Sequence, residues 1–205
     1  MTAASPVRTR SKIVWRWRVV DIVVAAVIGV AGGVVYWAWG LVYDAPSGAL
    51  GLLLPGTQPL PSGVWLIAGV LAALVIRKPG AALFAELIAA SVETLIGAKW
   101  GPLDLVYGLV QGLGAELIFA VFLYAIWRLA VAMLAGALAG VGGSIIDLVV
   151  YYPGYPPVFA LIYVISFAVS GALLGGLVSW LIARALATTG ALNRFASGRD
   201  AAARV

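Results

Sequence analysis

The sequence contains no histidine and no cysteine. Without cysteine there is no disulfide framework and no thiol chemistry. Without histidine, the commonest metal ligand and proton-transfer side chain is missing. A Ser-His-Asp triad cannot be assembled, and histidine-based metal-hydrolase motifs are excluded. Charge is almost as scarce: 10% of the 205 residues are Asp, Glu, Lys or Arg, against about a quarter in soluble domains. No Walker A pattern occurs, so any ATP consumed must be hydrolysed by another chain. The remainder is 63% hydrophobic, with a mean hydropathy of +1.08, which assigns the chain to the lipid bilayer. The formal charge of +5 does not indicate nucleic acid as a partner, because the basic residues sit at chain ends and in turns, as orientation signals do.

Six apolar segments are expected as transmembrane helices, at residues 19–39, 63–76, 81–96, 102–127, 129–150 and 158–183. The first follows a basic stretch but is long enough to span and ends in Tyr36, Trp37 and Trp39, so it reads as an anchor rather than a cleaved leader. Every Lys and Arg except Lys99 falls at ends assigned to one side, which puts both termini in the cytoplasm. The predicted organisation is all-α: a basic tail over 1–18, a six-helix membrane domain over 19–184 and a second basic tail over 185–205. Asp21 lies close enough to the basic collar to pair with Arg16, Arg18 or a headgroup. Between the first two segments, residues 40–62 hold four prolines yet keep an apolar run at 49–54. A cap over a pocket mouth or a shallow interfacial segment would each explain that run. No repeat relates the two halves, so an inverted-repeat carrier gains no support.

Polar residues concentrate in the hairpin over 77–120. A carboxylate near the bilayer centre costs about 2.5–3.5 kcal/mol on insertion scales and therefore faces a cavity or a partner. Glu86 and Glu93 are one heptad apart, which keeps them on one helix face. Asp104, Tyr107 and Gln111 share a face of the next segment. With the orientation above, Glu93, Gln111, Tyr107, Trp100, Asp147, Tyr151 and Trp37 converge towards the outer leaflet, with Glu86 and Glu116 deeper. Acids, an amide and aromatic rings at one level suit a flat, cationic, hydrogen-bonding molecule. Glu93 and Gln111 head this set, since both fall at pocket depth on facing helices. Plainer roles exist for several members. Glu86 would pair with a neighbouring helix, Glu116 would be structural, Trp37, Trp39 and Trp100 would be interface anchors, and Asp104 would favour its helix N-terminus.

RKPGAA at 77–82, the Glu86–Glu93 spacing, the Lys99-Trp100-Gly101 turn and QGLGAE at 111–116 resemble the YkoE family. YkoE proteins are substrate-binding (S) components of energy-coupling factor (ECF) transporters, associated with thiamine or its hydroxymethylpyrimidine precursor. The resemblance implies a multi-pass protein of a prokaryotic cell membrane with an S-component-like helix bundle. It further implies high-affinity capture of a vitamin, without enzymatic activity or a cofactor on this chain. The partners implied are a coupling transmembrane (T) subunit and cytoplasmic ATPase subunits that carry the ATP. S components use a small-residue stripe on the first helix to engage the coupling subunit, so Ala25, Gly29 and Gly33 are expected to form a docking face. The bare spacing is equally that of a helix packed inside its own bundle.

Two further classes stand beside this one. Glu86, Glu93 and Glu116 could relay protons in an autonomous or proton-coupled carrier for a small cationic or aromatic solute. An intramembrane enzyme would have only Asp104 and Asp147 as an acid pair, with no nucleophile–base arrangement to accompany them.

Overall fold

The structure is a computed structural model that describes residues 15–198; the outermost parts of both expected basic tails lie outside the described residues. Every regular element among the described residues is a helix. In chain order these are α1 (Val19–Val42), α2 (Asp44–Leu53), α3 (Ile67–Ile76), α4 (Ala81–Leu95), α5 (Leu103–Val121), α6 (Leu129–Val150), α7 (Pro157–Ser170) and α8 (Val178–Thr188). A 3-10 turn, Ser62–Leu66, leads into α3, and a π-helical segment, Gly171–Leu177, joins α7 to α8. Four helices among the described residues are long and apolar enough to cross a membrane: Val19–Val42, Leu103–Val121, Leu129–Val150 and the continuous Pro157–Thr188. Ser62–Ile76 is apolar but shorter, and α4 has 15 residues.

Helix α3 sits at the centre. Nine of its ten residues are buried, Ala68 to Ile76, which is why its sequence is apolar on all sides rather than striped. Val70 and Leu74 pack with Phe119 of α5, Val131 and Ala135 of α6, and Phe167 of α7. At one end, Val75 and Ile76 pack with Ala25 of α1 and with Leu192 and Phe195, which follow α8. Ser197 closes this end by donating to Val75 O at 3.0 Å.

Small residues set the helix spacings. In lipid there is no hydrophobic drive between helices, so close backbone approach and dispersion replace it. Ala25, Gly29 and Gly33 face α4: a Cβ on Gly29 would stand 2.7 Å from Ala85 O, and one on Gly33 would stand 2.5 Å from Ala89 O. This corrects the expected docking stripe, whose face is already filled by α4 inside the bundle. The surface that α1 leaves open is instead branched and bulky, with Val23, Val27, Val30 and Val34 exposed. Gly136 of α6 meets Gly171 so closely that a Cβ on either would lie 2.1 Å from the other's carbonyl oxygen. That contact falls where α7 widens into π geometry, a local rearrangement that a single-turn bulge accommodates.

The basic collar forms the end opposite the cavity described below. Asp21 is fully buried, bonds Arg18 Nη2 at 2.8 Å and pairs with Lys78. Lys78 Nζ also donates to Arg16 O at 2.7 Å, and Trp17 Nε1 donates to Pro79 O at 3.0 Å. The segment before α1 is thereby tied to the α3–α4 turn.

Two segments end differently from the sequence reading. The helix expected over 102–127 stops at Val121. Leu123 and Tyr124 take positive φ (53° and 49°), which turns the chain back so that Tyr124 reaches Glu116. The region 40–62, expected as a cap or an interfacial segment without a helix of its own, contains α2, whose Asp44 and Ser47 line the cavity described below.

Candidate functional site

A cavity of about 430 Å³ opens beneath α2, at the end of the bundle away from the basic collar. This is within the usual size range of small-molecule sites. Residues of α1, α2, α4, α5, α6 and α7 line it, so nearly the whole chain is needed to enclose it.

The floor is built on Glu86. Its Oε2 accepts from Gly69 N at 2.7 Å and from Tyr36 Oη at 3.2 Å, while Tyr36 Oη itself accepts from Ala68 N at 2.8 Å. Gly69 is required for this arrangement, since a Cβ there would lie 2.8 Å from the same carboxylate oxygen. Two turns along α4, Glu93 accepts from Trp65 Nε1 at 2.9 Å through Oε1. Trp65 belongs to an aromatic corner with Tyr43 and Trp100, whose ring centroids lie 4.8 Å and 5.4 Å from it in edge-to-face geometry. Lys99 covers that corner at 4.3 Å from the Trp100 ring and pairs with Asp44 of α2. The cap is thus fastened to the α4–α5 turn. Tyr43 fastens it a second time, with its hydroxyl 2.8 Å from Ser62 Oγ and donating to Gln58 O at 3.3 Å. Burial raises the Tyr43 phenol above its ordinary range, which keeps that hydroxyl protonated at neutral pH.

The opposite wall comes from α5, α6 and α7. Tyr107 and Tyr163 both donate to Asp147, the latter at 2.8 Å. Gln111 is buried to 4% exposure and packs on Gly143, where a Cβ would stand 2.8 Å from its Nε2. Asp104 lines the cavity at 5% exposure, and its Oδ2 has no hydrogen-bond partner.

Of the residues expected from the sequence, Glu93, Gln111, Glu86, Tyr107, Trp100, Asp147 and Tyr151 all line this one cavity. Two do not. Glu116 points to the first turn of α4, where it accepts from Gly80 N at 2.6 Å and Ala82 N at 2.9 Å, and Tyr124 Oη donates to it at 2.7 Å. It is a helix-end clamp, because its carboxylate satisfies N–H groups that a helix leaves unpaired. Trp37 lines a smaller adjoining cleft, behind Trp100 and Lys99. Trp39 ties α1 to the turn before α3, donating to Pro61 O at 3.1 Å. Several lining residues were not legible beforehand. Tyr36 reads in the sequence as one of the aromatics ending the first span, Tyr163 as an interior aromatic, and Trp65 lies within an apolar run. Asp104 carried a partial signal, since it shares a helix face with Tyr107 and Gln111 while its helix N-terminus offers a plainer role. Lys99 did carry a signal, as the one cation against the charge bias.

The chemistry of the cavity is one-sided. Asp44, Glu86, Glu93, Asp104 and Asp147 line it, against one cation, Lys99, which already faces Asp44. Carboxylates therefore outnumber cations in the lining, which favours an occupant that brings positive charge or N–H groups. The described residues contain no group of three or more His, Cys, Asp or Glu placed to hold a metal ion.

Comparison with known proteins agrees with this architecture. Residues 20–142 match a family described as the permease component of an ABC-type cobalt transport system. A Bacillus subtilis (strain 168) protein bearing the name HMP/thiamine permease protein YkoE is 42% identical over 185 residues, covering 90% of this chain and 92% of that one. A crystal structure of an S-component of an ECF transporter superposes with a TM-score of 0.83 at 39% identity, covering 92% of this chain and 95% of the other. The chain accordingly belongs to the YkoE family of membrane permeases, as a transport subunit of the ECF S-component type rather than an enzyme.

Proposed function

We propose that this chain captures thiamine, or its hydroxymethylpyrimidine precursor, at the outer face of a prokaryotic cell membrane. It hands the ligand to an ATP-driven importer. The observation that carries this reading is the capped cavity in which four carboxylates beyond the Lys99–Asp44 pair stand beside Trp65, Trp100 and Tyr107. A thiazolium cation finds neutralising charge there, and both its ring and the aminopyrimidine find aromatic faces. The name carried by the Bacillus subtilis relative supports the same ligand class. Cobalt, mentioned in the matched family description, suits the donors poorly, since the chain has no imidazole or thiol to offer.

In this reading the chain crosses the membrane six times with both termini in the cytoplasm, and Ser62–Ile76 and α4 are the two short crossings. Trp65 and Glu93 meet at the outer end, and the Asp21–Lys78 collar lies at the inner end. A coupling transmembrane subunit and cytoplasmic ATPases supply the energy, and no cofactor resides on this chain. The coupling subunit meets the open valine face of α1 rather than the Ala25/Gly29/Gly33 stripe.

Titration of the purified chain with thiamine, followed by tryptophan fluorescence, tests the ligand. Saturable binding is expected, helped by Trp65 and Trp100 in the wall. Absence of binding to thiamine and hydroxymethylpyrimidine would overturn the assignment. Uptake into vesicles containing this chain alone would instead favour an autonomous carrier, whereas dependence on ATPase partners supports the importer.

A further inference from the structure

We infer that Asp104 determines specificity by accepting a hydrogen bond from an exocyclic amine on a heteroaromatic ligand. The inference rests on the thiamine reading above and adds which side chain reads which group.

The acids of the cavity differ in what already engages them. Glu86 holds Gly69 N–H and the Tyr36 hydroxyl, Glu93 holds the Trp65 indole, and Asp147 holds the hydroxyls of Tyr107 and Tyr163. Asp44 is taken by Lys99. Asp104 differs from all of these. It lines the same cavity at 5% exposure, and its Oδ2 is buried without a partner. Its position in the first turn of α5 offers an ordinary use, favourable negative charge beside a helix N-terminus, yet that use leaves Oδ2 without a hydrogen-bond partner. Buried acceptors in folded proteins are almost always paired, so an uncommitted carboxylate oxygen in a cavity wall points to a donor on the ligand.

The kind of donor follows from the surroundings. Tyr107 stands one turn further along α5 on the same face, and its hydroxyl is committed to Asp147. The free acceptor therefore has an aromatic neighbour, which suits the edge of a ring with an N–H group in its plane. An amino substituent meets that requirement. A ring carbonyl at the same place would set oxygen against oxygen. A site built to hydrogen-bond one polar group strongly rejects the analogue that lacks it, because the site's own polar atom is then left unpaired.

Thiamine and oxythiamine differ at this position: oxythiamine replaces the exocyclic amine with a carbonyl and an adjacent ring N–H. The test measures the affinity of the purified full-length chain for both, with Asp104→Asn and Asp104→Ala alongside and thermal unfolding as a check of folding. The unmodified chain is expected to prefer thiamine by more than about tenfold. Asp104→Asn should weaken thiamine by roughly 10- to 100-fold and narrow or invert the preference, because the amide can donate to the carbonyl of oxythiamine. Asp104→Ala should weaken thiamine without improving oxythiamine. Equal losses for both ligands in Asp104→Asn, or unchanged thiamine affinity in both variants, would overturn the role of Asp104. Failure of the unmodified chain to bind either compound would overturn the thiamine reading itself.

Discussion

Glu116 and Gly80 lie 36 residues apart in the chain, and the Gly80 N–H donates to Glu116 Oε1 at 2.6 Å. The second oxygen accepts from Ala82 N at 2.9 Å, so one side chain of α5 fixes the start of α4. Helix α4 carries Glu86 and Glu93 into the cavity, which makes Glu116 a support for the site at a distance from it. Glu116→Gln places an N–H₂ group against backbone donors and should cost about 1–3 kcal/mol of stability. Thiamine affinity of the folded fraction should stay within about threefold, well under the 1.4 kcal/mol that a tenfold change represents. Thermal unfolding paired with ligand titration checks both halves. A lost affinity at unchanged stability would return Glu116 to the ligand.

Gly29→Leu separates an internal packing face from a docking face. A Cβ at Gly29 already stands 2.7 Å from Ala85 O and from Ile88 Cβ, so a leucine must push α1 away from α4. Overpacking of this kind costs typically 1–3 kcal/mol and more where backbone resists. Stability and ligand binding should fall together in Gly29→Leu, while Val27→Leu, at a position 61% exposed, should change neither. Intact binding with abolished transport in Gly29→Leu would restore the docking role.

Charge at Glu93 is tested by Glu93→Gln. The amide oxygen can still accept from the Trp65 indole, now 2.9 Å from the carboxylate, so the substitution removes charge and little else. Thiamine binding should weaken by about 10- to 100-fold, or roughly 1.4–2.8 kcal/mol. Hydroxymethylpyrimidine, which lacks the thiazolium, should lose less. Calorimetry with the two ligands gives the comparison, and equal affinity before and after substitution would remove Glu93 from the site.

Sidedness is checked by single cysteines in a chain that has none of its own. Ala45→Cys on the cap helix and Thr189→Cys beyond α8 both occupy exposed positions. In intact cells a membrane-impermeant maleimide should label the first and not the second. Labelling of both from outside would break the arrangement with both termini in the cytoplasm.

Helix faces were legible in the sequence because periodicity survives in lipid. Glu86 and Glu93 lie on one side of α4, and Asp104, Tyr107 and Gln111 lie on one side of α5, as their spacings require. The facing of Glu116 was not legible, because its partners are backbone N–H groups of a turn that only the folded hairpin brings near. Spacing also could not say which helix would fill the small-residue stripe of α1. Glycine at four-residue intervals announces a close neighbour without naming it, and here the neighbour is α4. Trp65 escaped notice because its indole finds Glu93 only after the 3-10 turn rotates it towards α4.

The full burial of α3 has a consequence for how the protein is built. A helix that touches lipid must match the apolar thickness of about 30 Å or distort the membrane around it. Helix α3 and its 3-10 lead-in span only about 25 Å at their respective rises, and nine of the ten residues of α3 are shielded by other helices. Hydrophobic mismatch therefore does not act on it, and a short segment carries no penalty there. The shielding helices include α6 and α7, which are synthesised later, and Ser197 bonds the far end of α3 at Val75 O. Before those parts are made α3 lacks the neighbours that shield it, so its buried position is expected to depend on the second half of the chain.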